Sequence, residues 1–232
     1  TYVSERPLVV AHRGLAKRGE DENTLTACAF ALGLGADFIE LDIRETSDGE
    51  LICYHDSEIK DRKVEEMTYA EVIYFSGRMV PKLDEIMHLC KDKVGLDIEI
   101  KEKGCEKKVI DTVKKSFGLD KVVFTSFKDE VIKEIKDLEP KSQAGLILGL
   151  ENPSNLITTR FTELFPRHRL VSCNADFVAP NYQLLRLNFV NRMKNAGFPV
   201  WAWTVNGDNL EECMHSGVAA VITDDADIAL AL

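Results

Sequence analysis

The sequence lacks the excess of positive charge that a nucleic-acid-binding protein needs. Its 232 residues include 29 lysines and arginines against 39 aspartates and glutamates, which gives a formal net charge of −10. Because a phosphate backbone attracts an excess of basic side chains, we predict no nucleic-acid partner. The basic pairs Lys107-Lys108 and Lys114-Lys115 are predicted to lie on solvated faces of a helix.

Long hydrophobic runs and paired cysteine motifs are also missing. No apolar run reaches the ~18 residues of a membrane span. The chain starts at Thr1 without a signal-like apolar stretch, although removal of an earlier segment stays open. We expect no stable membrane insertion. The six cysteines (28, 53, 90, 105, 173 and 213) show no C-x-x-C spacing, so we expect reduced, mostly buried thiols and a cytoplasmic location.

A glycine-rich phosphate loop is absent after the first predicted strand, where the sequence reads HRGLAKRGEDENT. This absence disfavours an open doubly wound sheet, which normally carries G-x-G-x-x-G there. Eight strand-like runs alternate with helical stretches and predict an α/β fold, a closed (β/α)8 TIM barrel. The predicted strands are residues 8–12, 37–43, 94–100, 122–125, 144–148, 170–173, 200–204 and 219–223.

No linker or low-complexity segment divides the chain, so residues 1–232 are predicted to form one barrel domain. Residues 46–92 are the longest excursion between barrel strands, with a β-hairpin arm and two amphipathic stretches at 68–75 and 83–91. We predict that they form a small cap over the substrate. Other predicted helices are residues 24–34, 105–117, 128–138, 154–164, 185–195 and 209–214, the first capped by Asn23 or Thr24 and ended by Gly35.

The second barrel strand is predicted to turn back on itself. Residues 37–45 and 51–54 both have strand character, and Ser47-Asp48-Gly49 between them is too short for a parallel crossover. If Asp48 and Gly49 form the loop, Asp42 lies opposite His55. A bulge would shift this pairing by one residue.

Two carboxylates of this strand, Glu40 and Asp42, leave the same face because they are two residues apart. On an exposed face they would simply be solvated. On a buried face they would repel each other and be costly to desolvate, and a divalent cation would relieve that cost. His55 across the hairpin favours the second interpretation.

A third acid occurs in VGLDIEIKEK, where Asp97, Glu99 and Lys101 share one strand face. In a half-exposed strand such alternation has no special meaning, but the strands of a helix-covered parallel sheet are buried on both faces. Together, Glu40, Asp42 and Glu99 would supply three oxygen ligands suited to Ca²⁺ or Mg²⁺. With Lys101, His12 and His55 nearby, the set is suited to a phosphate ester.

These segments resemble the glycerophosphodiester phosphodiesterase family. The motifs HRG, ENT, GADFIELDIRETSDGELICYHD, LDIEIK, TSF, WTVN and GVAAVITD occur in order between residues 11 and 224. The resemblance implies hydrolysis of a small-molecule glycerophosphodiester to glycerol 3-phosphate and an alcohol with a divalent cation. It implies metal ligation by Glu40, Asp42 and Glu99, acid/base roles for His12 and His55, and phosphate or substrate contact by Arg13, Lys101 and Trp203.

Two positions depart from the family pattern. Asp21 stands where the family usually has proline before Glu-Asn-Thr, and Ala226 stands where proline usually follows Ile-Thr-Asp. Both positions are predicted to lie in loops, so they bear on loop shape and on the preferred leaving group more than on the reaction.

The mechanism leaves alternatives open at this level. One histidine would take a proton from the attacking oxygen and the other would return one to the leaving alcohol, but the sequence does not assign them. The nucleophile is water or the adjacent glycerol hydroxyl, which would form a cyclic phosphate. A lysophospholipase D would use the same site with an exposed apolar lip. A non-catalytic binding protein or a metal-dependent aldolase or isomerase would have no use for two histidines. The oligomeric state stays open.

Overall fold

Eight parallel strands form a barrel in the computed structural model, which describes residues 6–15, 22–150, 153 and 155–232. The barrel strands are β1 (Leu8–Ala11), β2 (Phe38–Glu45), β6 (Gly95–Ile100), β7 (Val122–Ser126), β8 (Gln143–Leu148), β9 (Phe177–Pro180), β10 (Trp201–Ala202) and β11 (Ala220–Thr223). They pair in the order β10-β11-β1-β2-β6-β7-β8-β9. Bridges of Val178 to Val200 and of Asn181 to Trp203 connect the two ends of this order. The predicted (β/α)8 barrel is confirmed.

Three further strands and the helices complete the fold. The strands are β3 (Leu51–Cys53), which pairs antiparallel with β2, and the two-stranded pair β4 (Glu58–Ile59) and β5 (Arg62–Lys63). The α-helices are α1 (Leu25–Leu34), α2 (Tyr69–Ser76), α3 (Leu83–Cys90), α4 (Glu106–Ser116), α5 (Asp129–Leu138), α6 (Leu156–Leu164), α7 (Arg167–Ser172), α8 (Phe189–Asn195), α9 (Asn209–Met214) and α10 (Ala226–Ala229). Short 3₁₀ helices occupy Val64–Glu66, Leu119–Lys121 and Tyr182–Leu184.

The barrel strands are apolar on both faces because one face fills the barrel and the other packs under the helices. On β7, Val123 belongs to the interior cluster whereas Phe124 belongs to the cluster between strands and helices. The same alternation puts Phe177 inside the barrel and Val178 outside it. Polar side chains near the ends of these strands therefore project into or beside the mouth of the barrel.

Helix ends follow the signals in the sequence. The Thr24 hydroxyl accepts a hydrogen bond from the Ala27 amide at the start of α1, and Gly35 ends the helix with a φ of 80°. A left-handed backbone at that position favours glycine. The paired lysines of α4 are exposed, as predicted.

The prediction of a strand at residues 170–173 is wrong. Residues 170–172 end α7 and Cys173 caps it, with Leu170 and Cys173 both buried, and the sixth barrel strand is β9 instead. A short apolar run fits a buried strand and a buried helix equally well, so its period alone does not separate the two. Asn174, with a φ of 56°, stands between this helix and β9.

The predicted register of the hairpin is wrong by one residue. Ile43 lies opposite Cys53 and Glu45 opposite Leu51, so the loop has three residues, with Gly49 at a φ of 82°. Three-residue hairpin loops place a left-handed residue, usually glycine, last. The Tyr54 amide therefore donates to the Asp42 carbonyl, and His55 lies one residue beyond the pairing.

The predicted cap, residues 46–92, divides into two parts. Its helix α3 packs against the barrel, with Leu83, Ile86 and Met87 in the main core. The stretch from β3 to the start of α3 has a small core of its own, around Ile52, Val64, Met67, Val72 and Val80. Within the described ranges, no helix is long and apolar enough to cross a bilayer.

Candidate active site

A cavity of about 260 Å³ opens where the barrel strands end. Seven of the eight predicted site residues line it, namely His12, Arg13, Glu40, His55, Glu99, Lys101 and Trp203. The eighth, Asp42, is fully buried and bonded to the Lys101 side chain. The topology thus brings together every side chain that the sequence predicted for the site.

Three carboxylates form the acidic centre of this cavity. Asp42 lies opposite Glu99 on the adjacent parallel strands β2 and β6, and Glu40 precedes Asp42 on the same face. One oxygen from each of the three residues lies within 4.8 Å of the others. All three side chains are buried, so water screens their mutual repulsion poorly.

The three carboxyl groups of the acidic centre differ in the direction in which their pKa values are shifted. Burial raises the pKa of Glu40 well above its usual range, and Asp42 and Glu99 add to that shift. Burial acts on Asp42 in the same direction, but Lys101 and Arg13 outweigh it and hold the pKa of Asp42 well below its usual range. Burial also raises the pKa of Glu99, against the opposing effect of Lys101. The carboxyl groups of Glu40 and Glu99 are therefore the ones in need of further positive charge.

Arg13 binds this centre through its backbone and its side chain. Its amide donates to Glu40 Oε2 at 2.9 Å, its Nη1 donates to Glu22 at 2.7 Å, and its Nε lies 3.1 Å from Asp42 Oδ2. Arg13 has a left-handed backbone with a φ of 51°. The next residue, Gly14, has a φ of 83°, and a Cβ there would lie 2.7 Å from that of Ala27.

The Lys101 ammonium lies directly on two of the carboxylates. Its Nζ donates to Glu99 Oε1 at 2.6 Å and to Asp42 Oδ1 at 3.1 Å. Burial disfavours its charge, but these two carboxylates raise the pKa of Lys101 above its usual value. Lys101 is therefore positively charged at neutral pH and stays beside the acidic centre.

The donor set fits a hard divalent cation. Glu40 Oε1 is buried and has no hydrogen-bond partner among the described residues. Among the described residues, Arg13 and Lys101 are the lysine and arginine side chains paired with these carboxylates; Arg13 is shared with Glu22, and His12 Nε2 lies 3.9 Å from Glu40 Oε2. Oxygen ligands are those that Ca²⁺ and Mg²⁺ prefer, and water or a substrate oxygen can complete their coordination.

His12 is held from behind by an aspartate. Its Nδ1 lies 2.8 Å from Asp224 Oδ1, and Asn206 Nδ2 donates to the other oxygen of Asp224 at 2.6 Å. Burial alone would raise the pKa of Asp224, but the bonds from His12 and Asn206 lower it below its usual value. An ionised Asp224 favours the Nδ1–H tautomer of His12, and Nε2, which lies 3.9 Å from Glu40 Oε2, faces the cavity.

His55 is held through its backbone. The buried Arg44 donates from Nε and Nη2 to the His55 carbonyl at 3.0 and 2.7 Å, and it also pairs with Glu102. The His55 ring bonds through Nδ1 to Asp56 at 2.8 Å. Because Asp56 is 68% exposed in its side chain, this histidine is anchored less rigidly than His12.

The opposite wall of the cavity is apolar. It consists of Phe127, Ile147, Leu150, Trp203 and Ile222. The Trp203 indole donates from Nε1 to the carbonyls of Leu148 and Ala179, at 3.1 and 2.9 Å, and its ring contacts Phe127 edge-on. The ring is thus fixed, and its carbon surface is what it offers to a bound molecule.

Several polar residues of the site were not predicted from the sequence. Asn23 exchanges two hydrogen bonds with Asp42, from Nδ2 to Oδ2 at 2.8 Å and from the Asp42 amide to Oδ1 at 3.0 Å. Asn206, Asp224 and Arg44 act as described above, and Asp97 also lines the cavity. Asn23, Asn206 and Asp224 lie within the ENT, WTVN and GVAAVITD motifs, which were the available signal. Asp21, the departure before ENT, lies outside the described residues.

The chain matches known proteins over nearly its whole length. The family model described as "Glycerophosphoryl diester phosphodiesterase family" matches residues 12–228. A glycerophosphodiester phosphodiesterase of Caldanaerobacter subterraneus subsp. tengcongensis is 30% identical over 98% of each chain. One from Bacillus subtilis is 26% identical over 97% of this chain and 85% of its own.

Solved structures share the fold. The crystal structure of a glycerophosphodiester phosphodiesterase from Parabacteroides distasonis superposes with a TM-score of 0.81 at 23% identity and 97% coverage of both chains. A phosphodiesterase of Oleispira antarctica, solved in complex with the product sn-glycerol-3-phosphate, gives a TM-score of 0.80 at 22% identity, covering 97% of this chain and 96% of its own. At these sequence identities, the structural similarity supports the barrel fold and nothing further.

Proposed function

The chain belongs to the glycerophosphoryl diester phosphodiesterase family and is a phosphoric diester hydrolase, and we propose that it cleaves glycerophosphodiesters to glycerol 3-phosphate and an alcohol with a divalent cation. The observation that carries this proposal is that one cavity is lined by both histidines, Glu40 and Glu99, with Asp42 beside the two carboxylates. The small-molecule substrate suits the size of the cavity.

In this proposal Glu40, Asp42 and Glu99 hold Ca²⁺ or Mg²⁺. When bound, the cation neutralises negative charge on a phosphate oxygen. Arg13 and Lys101 contribute positive charge from the same wall and bind the remaining phosphate oxygens. Both side chains already lie on the carboxylates, so they need only small shifts to share their donors with a substrate.

The two histidines exchange protons with the reacting oxygens. His12 Nε2 and His55 Nε2 are the ring nitrogens left available, because each Nδ1 is bonded to an aspartate. One imidazole takes a proton from the attacking oxygen, and the other gives one to the leaving alcohol. Trapping of a cyclic glycerol phosphate would identify the adjacent glycerol hydroxyl as the nucleophile, and its absence would favour water. Trp203 packs against the carbons of the glycerol.

The experiment is release of glycerol 3-phosphate from glycerophosphocholine before and after chelation of divalent cations. We expect chelation to abolish release and added Ca²⁺ or Mg²⁺ to restore it. Glu40→Gln should be inactive at all metal concentrations, and Glu66→Gln, which changes an exposed glutamate, is the matched control. Release of phosphocholine instead of glycerol 3-phosphate, or full activity in the chelated protein, would contradict the proposal.

A second candidate, hydrolysis of lysophospholipids, is favoured by an apolar lip formed by Leu150, Leu156, Ile157 and Phe161. Leu150 lines the cavity and is 41% exposed, while Ile157 and Phe161 on α6 are 84% and 64% exposed. The buried Glu163 of the same helix accepts hydrogen bonds from the amides of Gly149 and Leu150. Glu163 therefore fixes the exposed apolar face of α6 beside the cavity mouth, where an acyl chain would emerge.

Activity on lysophosphatidylcholine and on glycerophosphocholine separates the two candidates. A lipid-directed enzyme should prefer the first substrate, and Phe161→Ser should lower that preference. Tyr74→Ser, which changes another exposed aromatic residue, on α2, is the control. Equal effects of Phe161→Ser on both substrates would argue against an acyl-binding lip.

The proposed setting is the cytoplasm. All six cysteines are buried and unpaired, which suits a reducing compartment. Residues 1–232 would act there as one barrel domain.

A further inference from the structure

We propose that Asp97 is a specificity-determining residue that binds a free hydroxyl of the glycerol moiety through its Oδ2 atom. This proposal rests on the proposed function and names the group by which the site would recognise its substrate. Asp97 lies on β6 two residues before Glu99, and its side chain faces the same cavity.

One oxygen of Asp97 is bonded and the other is not. The Thr125 hydroxyl donates to Oδ1 at 2.7 Å, whereas Oδ2 is buried without a hydrogen-bond partner among the described residues. Asp97 is 0% exposed, so bulk water does not satisfy this oxygen. A buried carboxyl oxygen left unpaired is costly, which indicates that a bound molecule pairs with it.

Asp97 lies opposite Glu40 on the paired strands β6 and β2, but it stands outside the cluster of proposed cation ligands. The described cluster whose ligand atoms lie within 4.8 Å of one another contains Glu40, Asp42 and Glu99, and Asp97 does not belong to it. On β6, Asp97 lies two residues nearer the start of the strand than Glu99, so its carboxyl group reaches the deeper part of the cavity. A molecule bound at the acidic centre would extend toward Asp97 with its inner end.

The surroundings of Asp97 disfavour an anion and offer an acceptor to a hydrogen-bond donor. Glu99 and Asp42 lie close enough to act on Asp97 electrostatically, so a phosphate group would be repelled there. Thr125, Ile147 and Ile222 line the same cavity without adding charge. A quaternary ammonium has no N–H to donate to Oδ2, but a hydroxyl can both donate and accept. The inner end of a glycerophosphodiester is the glycerol that carries such hydroxyls.

The test compares binding of glycerol 3-phosphate with binding of propyl phosphate, which has the same phosphate and carbon chain without the hydroxyls. In the metal-loaded protein we expect Asp97→Ala to weaken glycerol 3-phosphate binding by about 5- to 100-fold, a range that spans hydrogen bonds to neutral and to charged groups. Propyl phosphate binding should change by less than about threefold, within the spread of effects at an uninvolved site. Metal affinity, measured by calorimetry, should stay unchanged.

Two further variants keep the test decisive. Asp97→Asn preserves the shape and the Thr125 contact, so it should fold if Asp97→Ala does not, and it should bind glycerol 3-phosphate with intermediate affinity. Thr125→Val removes the bond to Oδ1 alone and controls for disturbance of the carboxyl group. The loss of kcat/KM in Asp97→Ala should be the same for glycerophosphocholine and glycerophosphoethanolamine.

The contradicting outcomes are distinct. Equal loss of both phosphates, or a lowered metal affinity, would assign Asp97 to the cation site. If the loss of kcat/KM in Asp97→Ala depends on the leaving alcohol, then Asp97 binds the alcohol and not the glycerol moiety. Unchanged glycerol 3-phosphate binding would overturn the proposal while hydrolysis by the unmodified enzyme continued. Absence of glycerol 3-phosphate release by that enzyme would instead overturn the proposed function.

Discussion

The two walls of the cavity are built in opposite ways. The charged wall comes from β1, β2 and β6, and its side chains are connected to one another by hydrogen bonds and ion pairs, with Lys101 and Asn23 both bonded to Asp42. The apolar wall comes from the later strands, and of its side chains Trp203 is anchored by hydrogen bonds. The first half of the barrel thus supplies the charged side chains, and the second half supplies the apolar surface together with Asp224 and Asn206, which hold His12.

The largest expected effect comes from breaking the charged wall at its histidines. His12→Ala and His55→Ala should each lower kcat by about 10²- to 10⁴-fold, because each removes a general acid or base. The circular dichroism spectrum should be retained. His88→Ala, which removes an exposed histidine of α3, is the control and should leave kcat unchanged. Full turnover in both site variants would remove the acid/base assignment.

A smaller effect should follow from loosening His12 without removing it. Asp224→Asn keeps the shape but weakens the hold on Nδ1, so kcat should fall by about 10- to 100-fold, as for other supporting groups. Asp61→Asn, at an exposed turn, is the matched control. If kcat is unchanged, the contact between Asp224 and His12 does not position the imidazole.

The same variant predicts a pH dependence of stability. Because the pKa of Asp224 is lowered in the folded protein, its ionised form stabilises the fold above the usual value of 3.8. That contribution is lost as pH falls below 3.8 and through the lowered pKa. The difference in Tm between the unmodified protein and Asp224→Asn should therefore be present at pH 6 and shrink in acid. A difference that grows in acid would contradict the shift.

The sequence predicts some residues of the site better than others. Glu40, Asp42 and Glu99 could be predicted because strand periodicity fixes which face they leave, and parallel pairing brings neighbouring strand ends together. Asp224 and Arg44 could not be given roles, because their contacts join distant parts of the chain and depend on side-chain direction. The motif that contained Asp224 showed that the residue belonged to the pattern, without saying that it bonds His12.

The two wrong predictions about the fold, the strand at residues 170–173 and the register of the hairpin, have local causes. Leu170 and Cys173 sit in a run too short to separate helix from strand, and tertiary packing decided the outcome. The register of the hairpin differs from the prediction because Thr46 pairs with Glu50, which leaves Gly49 inside a three-residue loop. His55 nonetheless lines the cavity, because Arg44 holds its carbonyl once the strand pairing has ended.

The smallest expected effect lies on the apolar wall. Trp203→Phe keeps an aromatic surface but leaves the carbonyls of Leu148 and Ala179 without this donor, which should cost about 1–3 kcal/mol of unfolding free energy. Activity should change by less than about tenfold, since no charge is lost. Denaturant unfolding with parallel kcat measurements checks both. A loss as large as that of His12→Ala would show that the apolar wall takes part in the chemistry.

The most direct measurement is a calorimetric titration of Ca²⁺ and Mg²⁺ into the metal-free protein and into Glu40→Gln. We predict that one of the two cations binds with one ion per chain in the unmodified protein, and that this binding is lost in the variant while its fold is retained. An identical titration in both proteins, or no binding of either cation to the unmodified protein, would contradict a cation centre built from Glu40, Asp42 and Glu99.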